Sequence, residues 1–313
     1  MQHGATLAQV TSRALEGLDR LIAEHKPAAV LGQGDTTTTF AAGIASFYRQ
    51  TLFGHVEAGL RTESIHNPFP EEFNRRATGL TADLHFAPTT WSRDNLLREG
   101  KDPATVYVTG NTVVDAVLDT ASSEGKNWYP EFDGRLILLT THRRENWGDP
   151  QKNIANAALK LVNEFPDTML VVAMHPNPIV RDVLEPILSG HDRIKLIDPP
   201  DYASFVKLMQ RSHLILSDSG GVQEEAPAFG LPVLVLRTTT ERPEGVHAGT
   251  AKLIGTEEAD IYAEGQKLLA NPSAYAAMAN AVSPYGDGKA SARIRYILLK
   301  KLGIETPSVG MWV

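Results

Sequence analysis

Leu214-Ile215-Leu216-Ser217-Asp218-Ser219-Gly220-Gly221-Val222-Gln223-Glu224-Glu225-Ala226-Pro227 is the stretch from which the fold can be read. Its opening, 214–217, is short, apolar and without alternation, as expected of a strand covered on both faces. Two glycines then permit close backbone approach, and a helix beginning near Gly221 offers free N–H groups to a phosphate. Strand, glycine turn and helix in this order make one unit of an α/β fold with a parallel sheet. Similar apolar runs precede it at 28–32, 53–56, 84–87, 106–108, 136–140, 169–174 and 194–197, and follow it at 232–236 and 252–254. Helical stretches separate many of them, at 36–49, 90–99, 151–164, 178–189, 202–211 and 260–270. Residues 6–25 read as an amphipathic helix with Leu7, Val10, Ala14, Leu18, Leu21 and Ile22 on one face.

The series is interrupted around 117–134, which is polar, carries Gly and Pro and has no clear strand. The pattern predicts a first doubly wound domain over 1–122, a second over 123–290, and a terminal segment 291–313 whose helix returns to the first domain. Four strands fall before the interruption and six after it, and the first half opens on a helix where a strand is expected.

The composition is that of an ordinary soluble globular protein, with 42% hydrophobic and 21% charged residues in a chain of 313. That length suits two domains. The net charge of −7 argues against a nucleic-acid partner, and the absence of Cys removes disulfides, thiolate metal sites and a Cys nucleophile. Apolar stretches such as 169–174 fall far short of the ~20 residues that span a bilayer. Glu16, Asp19 and Glu24 interrupt the region where a signal peptide would be apolar. The expectation is a cytoplasmic protein without a membrane partner.

Open α/β sheets bind ligands beyond the carboxyl ends of their strands, and the chemically notable residues sit there. Gly32-Gln33-Gly34-Asp35-Thr36-Thr37-Thr38-Thr39 follows the first strand; Asp35 fits a helix N-cap, and four consecutive β-branched Thr are poor helix formers better explained by a ligand. Gly54-His55-Val56-Glu57-Ala58-Gly59-Leu60-Arg61-Thr62 follows the second, with Glu57 directly off a buried strand; Glu57 and Arg61 also fit a surface ion pair. Asn67-Pro68-Phe69-Pro70-Glu71-Glu72-Phe73-Asn74-Arg75-Arg76 places Glu71 and Glu72 at a helix start, where the dipole alone favours them. Grouped carboxylates can hold different protonation states and so serve as acid and base.

In the second half, Thr140-Thr141-His142-Arg143-Arg144-Glu145-Asn146 follows a strand, and Arg suits a diphosphate through its bidentate fork. His175 stands at the end of the next strand, and no two His have metal-ligand spacing, so no metal is expected. Ser219, Gly220 and Gly221 form the phosphate turn quoted above, and Glu225 lies one helical turn inside it, placed to accept from ribose hydroxyls. Arg237-Thr238-Thr239-Thr240-Glu241-Arg242-Pro243-Glu244 adds two cations after a further strand.

The ordered set GDTTTT, HVEAGLRT, PEExNR, HRREN, DSGGxQEEAP and TTERPE resembles the non-hydrolysing UDP-N-acetylglucosamine 2-epimerases of bacteria and archaea, from about residue 6 to residue 300. The resemblance implies two Rossmann-like domains facing a cleft, as in one large glycosyltransferase class, and interconversion of UDP-GlcNAc and UDP-ManNAc without metal or other cofactor. The implied chemistry is anti elimination of UDP to 2-acetamidoglucal and its re-addition, supplying ManNAc for cell-surface polysaccharide. Asp35, Glu57 and Glu71 fall at the family's acid/base positions and His142 at a His contacting UDP. Ser219, Gly220 and Gly221 match its diphosphate turn, Glu225 its ribose-binding Glu, Arg242 a ligand-contacting Arg and Phe205 an aromatic beside the uracil. Arg143 and His175 match positions that bind a second UDP-GlcNAc as activator, and a homodimer is implied. A family domain opens with a strand, and the resemblance implies that roughly sixty residues carrying that strand, a helix and a phosphate-binding Arg are absent ahead of Met1-Gln2-His3-Gly4. Such a loss would leave the first domain loosened and the chain nearly inactive. Other readings of the same motifs are a hydrolysing epimerase, a UDP-sugar glycosyltransferase of this fold, and a non-catalytic UDP-sugar-binding remnant.

Overall fold

The computed structural model describes residues 5–312; Met1-Gln2-His3-Gly4, where the family pattern is expected to be entered, lies outside the described residues. In chain order the elements are α1 (Leu7–His25), β1 (Ala29–Gln33), α2 (Thr37–Tyr48), β2 (Leu52–Val56), α3 (Glu71–Thr81), β3 (Leu84–Ala87), α4 (Thr90–Arg98), β4 (Val106–Val108) and α5 (Thr112–Ser122). There follow β5 (Arg135–Thr140), α6 (Asp149–Glu164), β6 (Thr168–Ala173), α7 (Pro178–Leu188), β7 (Ile194–Ile197), α8 (Tyr202–Arg211), β8 (Leu214–Ser217) and α9 (Gly220–Glu225). The chain closes with β9 (Val233–Val235), α10 (Pro243–Ala248), β10 (Ala251–Leu253), α11 (Glu258–Ala270), α12 (Pro272–Ala279) and α13 (Ala290–Lys301). This is an α/β protein with two parallel sheets.

The described residues divide into two compact units, one running up to Asp115 and resuming at Tyr285, the other spanning Ala116–Pro284. The division falls inside α5 and not after 122, and the reason is local. Asp115 accepts hydrogen bonds from the backbone of Ala290 and Ser291, whereas Val117 packs into the core around Leu136 and Val206.

The first unit holds a four-stranded sheet in the order β1-β2-β3-β4. Ile294 and Ile297 of α13 bury against Val56, Leu84 and Phe86 on one face of it. The second unit holds six strands in the order β10-β9-β8-β5-β6-β7. Successive residues of β5 serve opposite cores: Leu136 and Leu138 join Val206 and Ile215, while Ile137 and Leu139 join Ile154 and Leu161. Both faces are covered, which is why these runs read as continuous apolar segments. The strand order reverses between β5 and β8, and such a reversal opens a crevice at the carboxyl ends of the two strands.

His55 and His85 are paired across β2 and β3 and are both buried. Burial pushes each imidazole below the ordinary range, to about 4. Folding therefore excludes protons that the unfolded chain binds near pH 6.5. Stability is expected to hold above about pH 6.5 and to fall by ~3 kcal/mol or more as the pH drops towards 4, since protonation then favours the unfolded chain. Denaturant titrations across that interval should show the fall; a flat stability curve between neutrality and the onset of carboxylate protonation would refute it.

Candidate functional site

The first unit contributes carboxylates. Asp35 was expected to cap α2, but Thr36 does so, its hydroxyl accepting from the backbone N–H of Thr39 at 3.2 Å. The Asp35 carboxylate is engaged elsewhere, by the buried guanidinium of Arg75 on α3 at 2.5 and 3.1 Å. Asn74 donates to the Asp35 carbonyl at 2.9 Å, and His55 Nε2 donates to the Gly34 carbonyl at 2.8 Å. A carbonyl can only accept, so Nε2 carries the proton of the neutral ring.

Glu57 has φ 63°, a left-handed conformation that costs a residue with a Cβ roughly 1–2 kcal/mol. Its neighbours impose it: the Val56 carbonyl accepts from Gly34 N and Ala58 N donates to the Phe86 carbonyl, both at 3.0 Å. The strained turn directs the Glu57 carboxylate back to the first loop, where Oε2 would lie 3.4 Å from a Cβ built on Gly34. Strain of this kind persists where surrounding structure over-determines it, commonly at functional positions. Glu71 opens α3 one turn before Arg75, on the same helix face. Arg61 does not pair with Glu57; its fork closes on Glu99 at 2.6 and 2.7 Å.

Glu72 differs from its neighbour. It is fully buried and accepts from the backbone of Thr62 at 3.0 Å, from Arg75 at 3.0 Å and from Arg76 at 2.6 Å. The sequence treats Glu72 as a lesser partner of Glu71 at a helix start; it is in fact the carboxylate that anchors Arg75, and through it Asp35.

The second unit contributes cations and a phosphate-type turn. His142 and His175, from the ends of β5 and β6, stack with ring centroids 6.0 Å apart. Arg143 reaches Glu241 at 3.4 Å, and Arg242 is held by Glu224 at 2.5 Å and by Glu241 at 2.7 Å. Burial alone would raise the Glu241 carboxyl, but Arg242 and Arg237 pull it down to about 2. Ser219 stands at the N-cap of α9, with Gly220 and Gly221 in its first turn. Glu225 ends α9 and accepts from the Tyr202 hydroxyl at 3.2 Å. Burial pushes its carboxyl up to about 7, Tyr202 opposing and Glu224 reinforcing the shift. Phe205 lies one turn from Tyr202 on α8 and packs partly into the core.

A family profile described as UDP-N-acetylglucosamine 2-epimerase matches residues 1–299. A protein of that name from Bacillus subtilis is 51% identical over 307 residues, covering 97% of this chain and 80% of its own length. The chain belongs to the UDP-N-acetylglucosamine 2-epimerase family. Among solved structures, the Neisseria meningitidis enzyme bound to UDP-GlcNAc is 45% identical with a TM-score of 0.88, covering 96% of this chain and 84% of that one. The Methanocaldococcus jannaschii enzyme in complex with UDP-GlcNAc and UDP is 32% identical with a TM-score of 0.78, covering 95% and 82%. The chain spans 80–84% of the length of these relatives.

Several residues at these positions carry no signal that sequence reasoning used. Asp218, fully buried at the end of β8, is the hub of the β5–β8 crevice. His55 holds the loop before Asp35, Tyr202 occupies Glu225, and Glu241 balances three arginines. Asp218 and His55 were legible in principle as polar residues inside or ending apolar runs. Tyr202 and Glu241 depend on partners distant in sequence. Among the described residues no group of three His, Asp or Glu is arranged to hold a metal ion, and no helix is long and apolar enough to cross a membrane.

Gly220 shows why the turn needs glycine. A Cβ there would lie 2.6 Å from Nη1 and 2.8 Å from Cζ of Arg242, whose guanidinium two carboxylates hold in place. Gly220→Ala is expected to push the Arg242 guanidinium off Glu224 and Glu241 and to destabilise the second unit by about 2 kcal/mol or more, since charge-assisted hydrogen bonds are lost. Denaturant titration checks this, and a stability equal to wild type would count against it.

Proposed function

We propose that this chain interconverts UDP-GlcNAc and UDP-ManNAc without net hydrolysis, by anti elimination and re-addition of UDP. A carboxylate removes the proton from C2 as the C1–O bond breaks; the electron pair leaves with UDP, and a C1–C2 double bond forms in 2-acetamidoglucal. UDP then adds back at C1 as C2 is protonated on the other face. The observation that carries this reading is the strained Glu57, held with its carboxylate against the loop of Asp35, because the chemistry needs grouped acid and base residues on a rigid frame. Glu57, Asp35 and Glu71 are assigned to proton transfer.

The second unit holds UDP. His142, Arg242 and the Ser219-Gly220-Gly221 turn meet the diphosphate, Glu225 the ribose and Phe205 the uracil. The relatives' complexes with UDP-GlcNAc and UDP support a nucleotide-sugar ligand. Arg143 and His175 are assigned to a second UDP-GlcNAc acting as activator, and the assembly is a homodimer. The product supplies ManNAc for polysaccharide synthesis.

The test is proton NMR of UDP-GlcNAc in deuterium oxide with the purified chain. Deuterium entering C2 of both epimers, with UDP staying sugar-bound, is the expected outcome. Net release of UDP with free ManNAc would favour the hydrolysing reading, and binding without exchange would overturn the catalytic one.

A further inference from the structure

We propose that Asp218 is a positioning residue for His142, fixing the imidazole with Nδ1 turned inward and Nε2 presented to the diphosphate; this rests on the assignment of His142 to UDP. β5 and β8 pair with Thr140 opposite Ser217, so the residues that follow each strand become neighbours although far apart in the chain. Asp218 is fully buried there, and its carboxylate is saturated with donors. Thr141 Oγ1 lies 2.7 Å away, the Asn146 amide 2.9 Å, and the backbone N–H groups of His142 and Arg143 3.0 Å each. His142 Nδ1 stands 3.1 Å from Oδ1.

An ionised carboxylate only accepts, so His142 Nδ1 must carry a proton. Burial opposes ionisation of Asp218, yet His142, Thr141 and the backbone donors outweigh it and hold the carboxyl below its ordinary value. The imidazole side chain is 38% exposed while its Nδ1 faces a fully buried group, which leaves Nε2 as the outward polar atom. When the C1–O bond breaks, its electron pair passes to the β-phosphate oxygen. With Nδ1–H held by Asp218, Nε2 carries a proton only when the ring takes up a second one from solvent; in that imidazolium form Nε2–H donates to the oxygen as its charge develops, and the Asp218 carboxylate stabilises the cation. The competing account is that Asp218 merely ties down the 141–146 loop.

Three measurements separate the two. In protein labelled with nitrogen-15 at histidine, the His142 signal (assigned by its loss in His142→Gln) should show a protonated Nδ1 well above the ordinary histidine titration range. A bare Nδ1 would overturn the proposal, and this readout does not need turnover. In the epimerase assay, Asp218→Asn is expected to lower kcat by about 10²-fold or more, with a far smaller change in KM. The double variant Asp218→Asn/His142→Gln should be no slower than His142→Gln alone; effects that multiply would mean that Asp218 does not act through His142. Glu145→Gln weakens the tie between this loop and Arg237, which touches neither Asp218 nor His142, and leaves the imidazole contact intact. It should keep kcat near wild type, and a loss as large as that of Asp218→Asn would favour the loop account. A chain with no epimerase turnover at all would count against the epimerase reading, and the tautomer measurement alone would then decide on Asp218.

Discussion

Glu57→Gln and Glu71→Gln are each expected to slow epimerisation by about 10²-fold or more while leaving UDP affinity close to wild type, because general acid–base catalysis contributes about that much. Both carboxylates lie in the first unit, whereas the nucleotide contacts assigned above come from the second. Glutamine preserves shape and hydrogen-bonding capacity but cannot take or give the proton at C2. Glu57→Gln keeps its Cβ, so the left-handed turn at φ 63° is neither relieved nor worsened. Steady-state kinetics and UDP calorimetry on each variant provide the check. Turnover near wild type in either variant removes that residue from the proton-transfer set, and a parallel collapse of UDP binding points to a folding defect instead.

Glu72→Gln is expected to behave in the opposite way, as a loss of stability. Glu72 is fully buried with three donors on it, including both Arg75 and Arg76. Removing one member of a buried ionic cluster costs about 3–5 kcal/mol, because the remaining charge is left uncompensated. In a unit of this size that lowers the thermal midpoint by ~10 °C or more. Scanning calorimetry of Glu71→Gln and Glu72→Gln side by side should show the midpoint moving only in the second. Equal midpoints would mean that Arg75 finds its compensation from Asp35 alone.

The contrast between these adjacent glutamates shows what the sequence carried. Ten short apolar runs became the four- and six-stranded sheets; strands such as β6 and β8 are buried on both faces and have no alternation to confuse them, whereas β1 and β7 are only partly covered. The Glu72 network was partly legible too, since Arg75 and Arg76 stand three and four residues on, one turn away on a helix. Which of two consecutive glutamates faces inward depends on how α3 is rotated against the sheet, and helix-start signals are silent on that. The cap on α2 was misassigned for a similar reason. Asp35 and Thr36 are both good N-caps locally, and the choice falls to Thr36 because Arg75, forty residues away in the chain, claims the carboxylate. Asp218 stood in plain view between a strand and two glycines. Its importance comes from β8 lying beside β5, a crossover that no local pattern encodes.

That strand order bears on how the second unit is made. The His142–Asp218 contact joins residues 76 apart in the chain, and closing so long a loop is a late and entropically costly event in folding. Until β8 docks against β5, the carboxylate that organises residues 141–146 is absent. On the function proposed above, a partly folded chain then lacks its nucleotide site, however complete its other strands. UDP should consequently bind the native state alone, and a concentration one hundred times its dissociation constant should add about 2.7 kcal/mol to the unit's stability. Ligand-dependent protection would thus report on the docking of β8, through which β9 and β10 also join the sheet, making UDP a probe of assembly.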